Sequence, residues 1–341
     1  MTVTRRTIIF FFSLLICPAV FPQLRPVHIF QQDDSVLKKA YYQQALQNKN
    51  KQINSLGTEY KKDYKEIYEA RFAEVAKFLE STRAVTDQKA NSYLQSLLEK
   101  IRDANPELKA REIRLLFSRD SWPNAFSMGE GTLVVNAGLM VFLDNEAELI
   151  FVICHELAHF YLEHSNKSIK KNVENYNSKA FQNELTRLSK QEYGAGKQID
   201  ELIRKLSFAG RRHSRENETE ADRYAFMFMK NTGYDCNAIR TCLQLLDKVD
   251  DSLLYKPVNP ELTFNFTNYP FKKKWVQKES VIFSEMSNDD SPLTKKEKDS
   301  LKTHPACTDR ILRLEDSITK VQPGKKFIMD ELLFRQLINI K

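Results

Sequence analysis

Between residues 31 and 110 the chain is rich in Glu, Lys, Gln and Ala and holds no proline before Pro106. Its apolar residues recur at helical spacing: Val75, Phe78 and Leu79, then Tyr93, Leu94, Leu97, Leu98 and Ile101. This pattern predicts helices. Around residue 111 the period changes. Ile113–Phe117, Asn124–Met128 and Thr132–Val135 read as short strands, with Gly129-Glu130-Gly131 as a turn. Three strands in a row predict a small antiparallel sheet. Asn145 can then cap a helix, with Glu148 completing a capping box. Leu149, Ile150, Val152, Ile153, Leu157 and Phe160 make that helix apolar nearly all round, which places it inside a domain. Residues 165–207 are polar, periodic and proline-free, as surface helices are. Ser214 opens a further helix to about Asn231, with Gly233 as its stop. Residues 243–300 are mixed, and Ser284–Thr303 reads as a loop or linker.

The N-terminus follows a different logic. Arg5 and Arg6 precede an almost unbroken apolar run from Thr7 to Val20, broken by Pro18. The run is short for a membrane span and right for a secretory signal, so residues 1–23 are expected to be a signal peptide. An uncleaved N-terminal membrane anchor is the alternative. The expected location is the periplasm or cell envelope. Removing the segment lowers the formal net charge from +7 by the two arginines. The remaining basic residues form no stripe with interleaved aromatics, so a nucleic-acid partner is not expected. Peripheral membrane association is compatible with this balance. Only nine glycines among 341 residues argue against a turn-rich all-β fold. Export would expose Cys236, Cys242 and Cys307 to oxidation, and one disulfide among them is an open expectation. Cys154, among apolar helical neighbours, reads as an inert core thiol.

His155-Glu156-Leu157-Ala158-His159 is an HExxH pattern on the buried helix. Residues i and i+4 share a helix face, so both imidazoles can reach one Zn²⁺. Glu156 lies about 100° round the helix. It sits beside the metal and can take a proton from water. Chance alone gives the pattern in roughly one protein per hundred, so context must decide. A buried helix after a sheet is the right context. His164, five residues past His159, falls about 140° off the ligand face and reads as a polar helix-end residue.

A catalytic zinc site usually takes three protein ligands plus water. Arg215-Glu216-Asn217-Glu218-Thr219-Glu220-Ala221-Asp222 can supply the third. Glu218 and Asp222 share a face, whereas Glu220 points about 200° away from Glu218. Glu218 can ligate, and Asp222 can accept a hydrogen bond from the other nitrogen of a metal histidine.

With these pieces in order the chain resembles the gluzincin zinc metallopeptidases of the CAAX prenyl protease and HtpX-like proteases, and looks closest to their soluble exported bacterial members. The resemblance spans roughly residues 85–315. It rests on Asn124-Ala125-Phe126 and Thr132–Leu139, on Glu148-Leu149 with His155–His159, on Glu218–Asp222, and on Thr303-His304-Pro305 with Asp309-Arg310-Ile311. It implies an α+β fold: a mainly helical zincin-type domain with a small, mostly antiparallel sheet beside the HExxH helix. It implies one Zn²⁺ per chain on His155, His159 and Glu218, with Glu156 as general base. It also places His304 at the site, as an oxyanion donor or as a plug on the metal. The expected organisation is a helical segment at 24–84, a peptidase domain at 85–315 and an extension at 316–341.

The function implied is metalloendopeptidase action on a protein or peptide substrate in envelope quality control or processing. The substrate would lie extended along the strand at Asn124, Ala125 and Phe126. A zinc-bound chaperone or scaffold that rarely cuts is the competing reading. An aminopeptidase ranks lower, because no Gly-x-Met-Glu-Asn type segment is present to grip a free amine.

Overall fold

The computed structural model describes residues 34–190, 215–249, 265–267, 269–272 and 307–337. The expected signal segment and His304 lie outside these residues. The chain opens with two long antiparallel-neighbouring helices, α1 (Ser35–Asn54) and α2 (Lys61–Glu80). Asp34 caps α1, its carboxylate accepting from the N–H groups of Val36 and Leu37 at 2.8 and 3.0 Å. A two-residue strand β1 (Ala84–Val85) leads into α3 (Gln88–Ala104), capped in the same way by Asp87. Strands β2 (Arg114–Ser118), β3 (Ala125–Ser127) and β4 (Thr132–Asn136) follow, then a short helix α4 (Ala137–Met140). Helix α5 (Glu146–Tyr161) carries the two motif histidines. Helices α6 (His164–Asn177), α7 (Lys179–Ser189), α8 (215–230), α9 (Ala238–Val249), α10 (Cys307–Thr319) and α11 (Glu331–Leu337) complete the described elements. Among the described residues no helix is long and apolar enough to cross a membrane.

The fold is α+β, with a sheet of order β1-β2-β4-β3. Two of its three pairings are antiparallel, β1 with β2 and β3 with β4. The central pair, β2 with β4, is parallel, Leu115 facing Leu133 and Phe117 facing Val135. The three consecutive strands therefore do not form a meander. The chain leaves β2, crosses to the outer edge as β3, and turns back inward as β4. Gly129 and Gly131 make that last turn at φ of 83° and 109°. A side chain at Gly131 would also collide with the carbonyl oxygen of Glu112.

Both faces of the sheet are covered, so β2 and β4 are buried along their whole length. Alternate residues divide between two cores. Leu115, Phe117, Leu133 and Val135 join the main core with α3, α5, α8, α9 and α10. Leu116 and Val134 face the other way, onto Ala45, Val75, Phe78 and Leu79 of the α1–α2 hairpin. The N-terminal helices thus complete the sheet. The boundary expected at residue 84 falls at β1, and that expected at 315 falls inside α10.

Glu146, the first residue of α5, is fully buried. Its carboxylate accepts from the Tyr93 hydroxyl at 2.8 Å and from Tyr234. It also accepts from the N–H groups of Ile328, Met329 and Asp330 at 2.8, 2.9 and 3.2 Å. One carboxylate therefore ties α3, the turn after α8 and the loop before α11 to the start of α5. The capping residue is Asn145, as expected, with its side chain 3.1 Å from the Glu148 N–H. Glu148 reaches back to the Asp144 N–H rather than to that of Asn145.

Cys154, Cys236, Cys242 and Cys307 are all buried free thiols. The disulfide left open for the last three is not formed. Each sulfur sits in the close-packed main core, where cysteine behaves as a small hydrophobe. Burial pushes the Cys236 thiol up to about 11, with the charge of Asp235 adding to it.

Candidate metal centre

Helix α5 is buried along most of its length because its apolar residues cover nearly every side. It presents His155 and His159 one turn apart toward a cleft between α5, α6, α8 and the outer edge of the sheet. Their Nε2 atoms lie 3.1 Å apart. Helix α8 brings in Glu218, whose carboxylate oxygens stand 3.3 Å from His155 Nε2 and 3.2 Å from His159 Nε2. A tetrahedral ion with bonds of about 2.0–2.1 Å needs ligand atoms roughly 3.3–3.4 Å apart. The two nitrogens and one carboxylate fit such an ion in spacing and in chemistry.

The sequence-expected role of Asp222 also has its geometry. Asp222 Oδ1 is 3.0 Å from His155 Nδ1, which assigns the proton to Nδ1 and leaves Nε2 facing the cleft. Arg310, from α10, then grips Asp222 through two bonds of 2.6 and 2.8 Å. Burial opposes ionisation of Asp222, but Arg310 and His155 outweigh it and hold the carboxyl at about 2. Burial likewise opposes a charge on His155. Its hydrogen bonds to Asp222 and Glu218 prevail and raise it to about 9.

Two residues that the helical wheel set aside belong to this network. His164 is buried, with Nδ1 3.0 Å from His159 Nδ1 and Nε2 3.1 Å from Glu220. His159 donates from Nδ1, His164 accepts at Nδ1, and His164 donates onward to the Glu220 carboxylate. His164 is therefore not a plain helix-end residue. The reason is local: α5 ends at Tyr161, and Glu163 turns the chain through a left-handed conformation at φ 58°. His164 begins a new helix that folds back under His159. Glu220 does point away from Glu218, and the place it points to is His164. Arg310 is the other residue that spacing could not assign a task, since it lies far along the chain. Its only signal was the resemblance of the Asp309-Arg310-Ile311 stretch.

The cleft measures about 1270 Å³ and is lined by Glu156, half-buried beside the two histidines, and by Asn124, Ala125, Phe126 and Ser127. In the β3–β4 ladder, Met128 N–H donates to Thr132 and Asn136 N–H donates to Asn124. By the alternation of antiparallel strands, Asn124, Phe126 and Met128 turn their main-chain groups toward β4. Ala125 and Ser127 turn theirs toward the cleft. His304 falls outside the described residues.

A pair of histidines and a glutamate at metal-binding distance, a second glutamate, Glu156, lining the cleft beside them and an open strand edge along the same cleft define a metallopeptidase. The sequence profile of Peptidase family M48 matches residues 88–318, more than half of the chain, and the chain belongs to that family. It is also similar to a putative beta-barrel assembly-enhancing protease of Vibrio cholerae serotype O1 (strain ATCC 39315 / El Tor Inaba N16961), at 25% identity over 181 residues. The similar stretch covers 52% of this chain and 36% of that relative's length.

Proposed function

We propose that the chain is a zinc-dependent endopeptidase of the cell envelope, acting on extended polypeptide. The observation that carries this reading is the triangle of His155, His159 and Glu218 beside Glu156 and the cleft-facing edge of β3. Two imidazoles and one carboxylate, with room left on the cleft side, are a donor set suited to catalytic zinc. Zinc held there supplies Lewis acidity toward water and toward the scissile carbonyl. Glu156 takes the proton released by the attacking water and delivers it to the departing amine. Asp222 and His164 fix the tautomer and the angle of the two ligand rings. Ala125 and Ser127 bind the substrate main chain as an added strand, which positions a peptide without demanding particular side chains. That is the binding mode expected of an endopeptidase acting on unfolded or extended segments. His304, if brought to the cleft by the segment before α10, is a candidate donor to the oxyanion.

Zinc content and casein hydrolysis, measured together on the native chain and on Glu218→Ala, Glu220→Ala and His164→Ala, test the assignment. The native chain should carry one zinc and cleave casein in a chelator-sensitive way. Glu218→Ala should lose the metal. Glu220→Ala and His164→Ala should keep it with an affinity lowered roughly 10- to 100-fold, the usual cost of removing an outer partner of a ligand. Equal zinc loss in the two glutamate variants, or loss in Glu220→Ala alone, would overturn the ligand set.

The envelope location rests on the basic, apolar and proline segments of residues 1–23 and on a relative named for β-barrel assembly. Cell fractionation with N-terminal sequencing tests it. A soluble cytoplasmic chain still starting at Met1 would refute export, and a membrane-bound full-length chain would point to the anchor instead.

A further inference from the structure

The α1–α2 hairpin lies before the stretch that matches the family, yet it lines one end of the cleft. It is fastened at the Ser127 end of the edge strand. Asn48 of α1 donates to the Glu130 carbonyl at 3.0 Å, inside the Gly129–Gly131 turn. Arg71 of α2 donates to the Gly129 carbonyl at 3.1 Å, to Asn166 at 3.0 Å and to Ser165 at 3.0 Å. One guanidinium thus joins the turn that ends β3 to the start of α6. Tyr68 and Tyr64 stand one and two turns before Arg71 on the same face of α2, and both line the cleft. Arg71 lies over the Tyr68 ring, 5.2 Å from its centroid. Gln52, from the last turn of α1, and Leu56, just beyond it, line the cleft beside them.

Several charges around this trough are paired with one another. Lys51 pairs with Glu112 at 2.5 Å, Arg111 with Glu163 at 3.0 Å, and Lys170 with Glu174 at 3.8 Å. Arg71 already donates to three partners. A charged substrate side chain would find most of the opposite charges paired, whereas an apolar one would cover the half-buried Tyr64 ring, with the buried Tyr68 ring behind it.

Resting on the endopeptidase reading, we infer that this trough is a subsite for a bulky apolar side chain lying N-terminal to the scissile bond, with Tyr64 and Tyr68 setting the preference. The side of the bond follows from strand direction. Antiparallel pairing is the stronger mode, and β3 runs from Ala125 to Ser127. An antiparallel substrate therefore enters from the Ser127 end, and the residues that pass the hairpin are those preceding the bond that is cut.

The test uses full-length Glu156→Gln protein and fluorescein-labelled peptides in an otherwise Gly/Ser-rich sequence. These carry Phe, Gly or Asp at one of about two to four positions before the scissile bond, or Phe at the matching positions after it. Binding by anisotropy should favour upstream Phe over Gly roughly 10- to 100-fold, as burial of one aromatic side chain implies. Asp should bind no better than Gly. In Tyr64→Ala, a change at a half-buried cleft position outside both core clusters, the Phe-to-Gly ratio should fall toward one, and Tyr68→Phe should retain it. The same ratio should appear in kcat/KM of the chain with Glu156 intact. An unchanged ratio in Tyr64→Ala, or a preference confined to residues after the bond, overturns the inference. Upstream-Phe binding without any cleavage by the native chain would leave the subsite standing and overturn the peptidase reading.

Discussion

Glu156→Gln is expected to keep its zinc and to lose peptide hydrolysis by roughly 10²- to 10⁴-fold or more. Glutamine has the shape of glutamate but no basic oxygen that can take a proton at neutral pH. His155, His159 and Glu218 remain in place, and so do the partners that hold them, Asp222, Arg310, His164 and Glu220. Metal content and fold should therefore be untouched while the proton shuttle between water and leaving amine is gone. Zinc stoichiometry and casein turnover, measured on the same preparation, separate these effects. Full turnover in the variant would remove Glu156 from the mechanism and favour the scaffold reading.

The largest effect on stability is expected at Glu146, far from the metal end of the same helix. Its carboxylate satisfies two tyrosine hydroxyls and three main-chain N–H groups. Glu146→Ala leaves two buried tyrosine hydroxyls and three part-buried main-chain N–H groups without this acceptor. A loss of about 3–5 kcal/mol follows from breaking a buried charged hub, which corresponds to a thermal midpoint lowered by roughly 10 °C. Burial alone would raise this carboxyl. The N–H groups of Met329 and Ile328 and the hydroxyls of Tyr234 and Tyr93 outweigh burial and hold it below its ordinary 4.5. A depressed folded-state value means that the unfolded chain binds the proton more readily. The contribution is full above about pH 4.5 and fades as pH falls through the folded value. The gap in stability between native chain and Glu146→Ala should therefore narrow on acidification below that point. A gap that is small at pH 7, or that widens in acid, would contradict the role.

Much of the site was legible because it is written in local helical spacing. His155 and His159 share a face at any radius of the helix, and so do Glu218 and Asp222. What the wheel could not follow was the end of α5. Once Glu163 adopts a left-handed conformation, His164 is on a different axis, and an angle of 140° from His159 has no meaning. Arg310 was out of reach for another reason, since only tertiary packing of α10 on α8 brings it to Asp222. The sheet shows the same division. The strands themselves announce their alternation, but adjacency in sequence says nothing about order. Leu116 and Val134 are apolar on a face that a one-sided sheet would leave to water, and that excess was the mark of a second covering layer.

That second layer has a consequence for how the chain is made. The apolar stripe of Val75, Phe78 and Leu79 is complete when Glu80 has emerged, yet the surface it covers includes Val134. The last residue of β4 follows about 56 residues later, some three to eleven seconds behind at an ordinary pace of synthesis. During that interval the hairpin lacks part of the surface that covers it, the part that Val134 supplies. Whatever meets the chain as it lengthens, ribosome-bound or on the far side of a translocation pore, meets this pair of helices before the strand that covers them exists. Shielding them until Asn136 arrives is a task the folded protein gives no sign of needing.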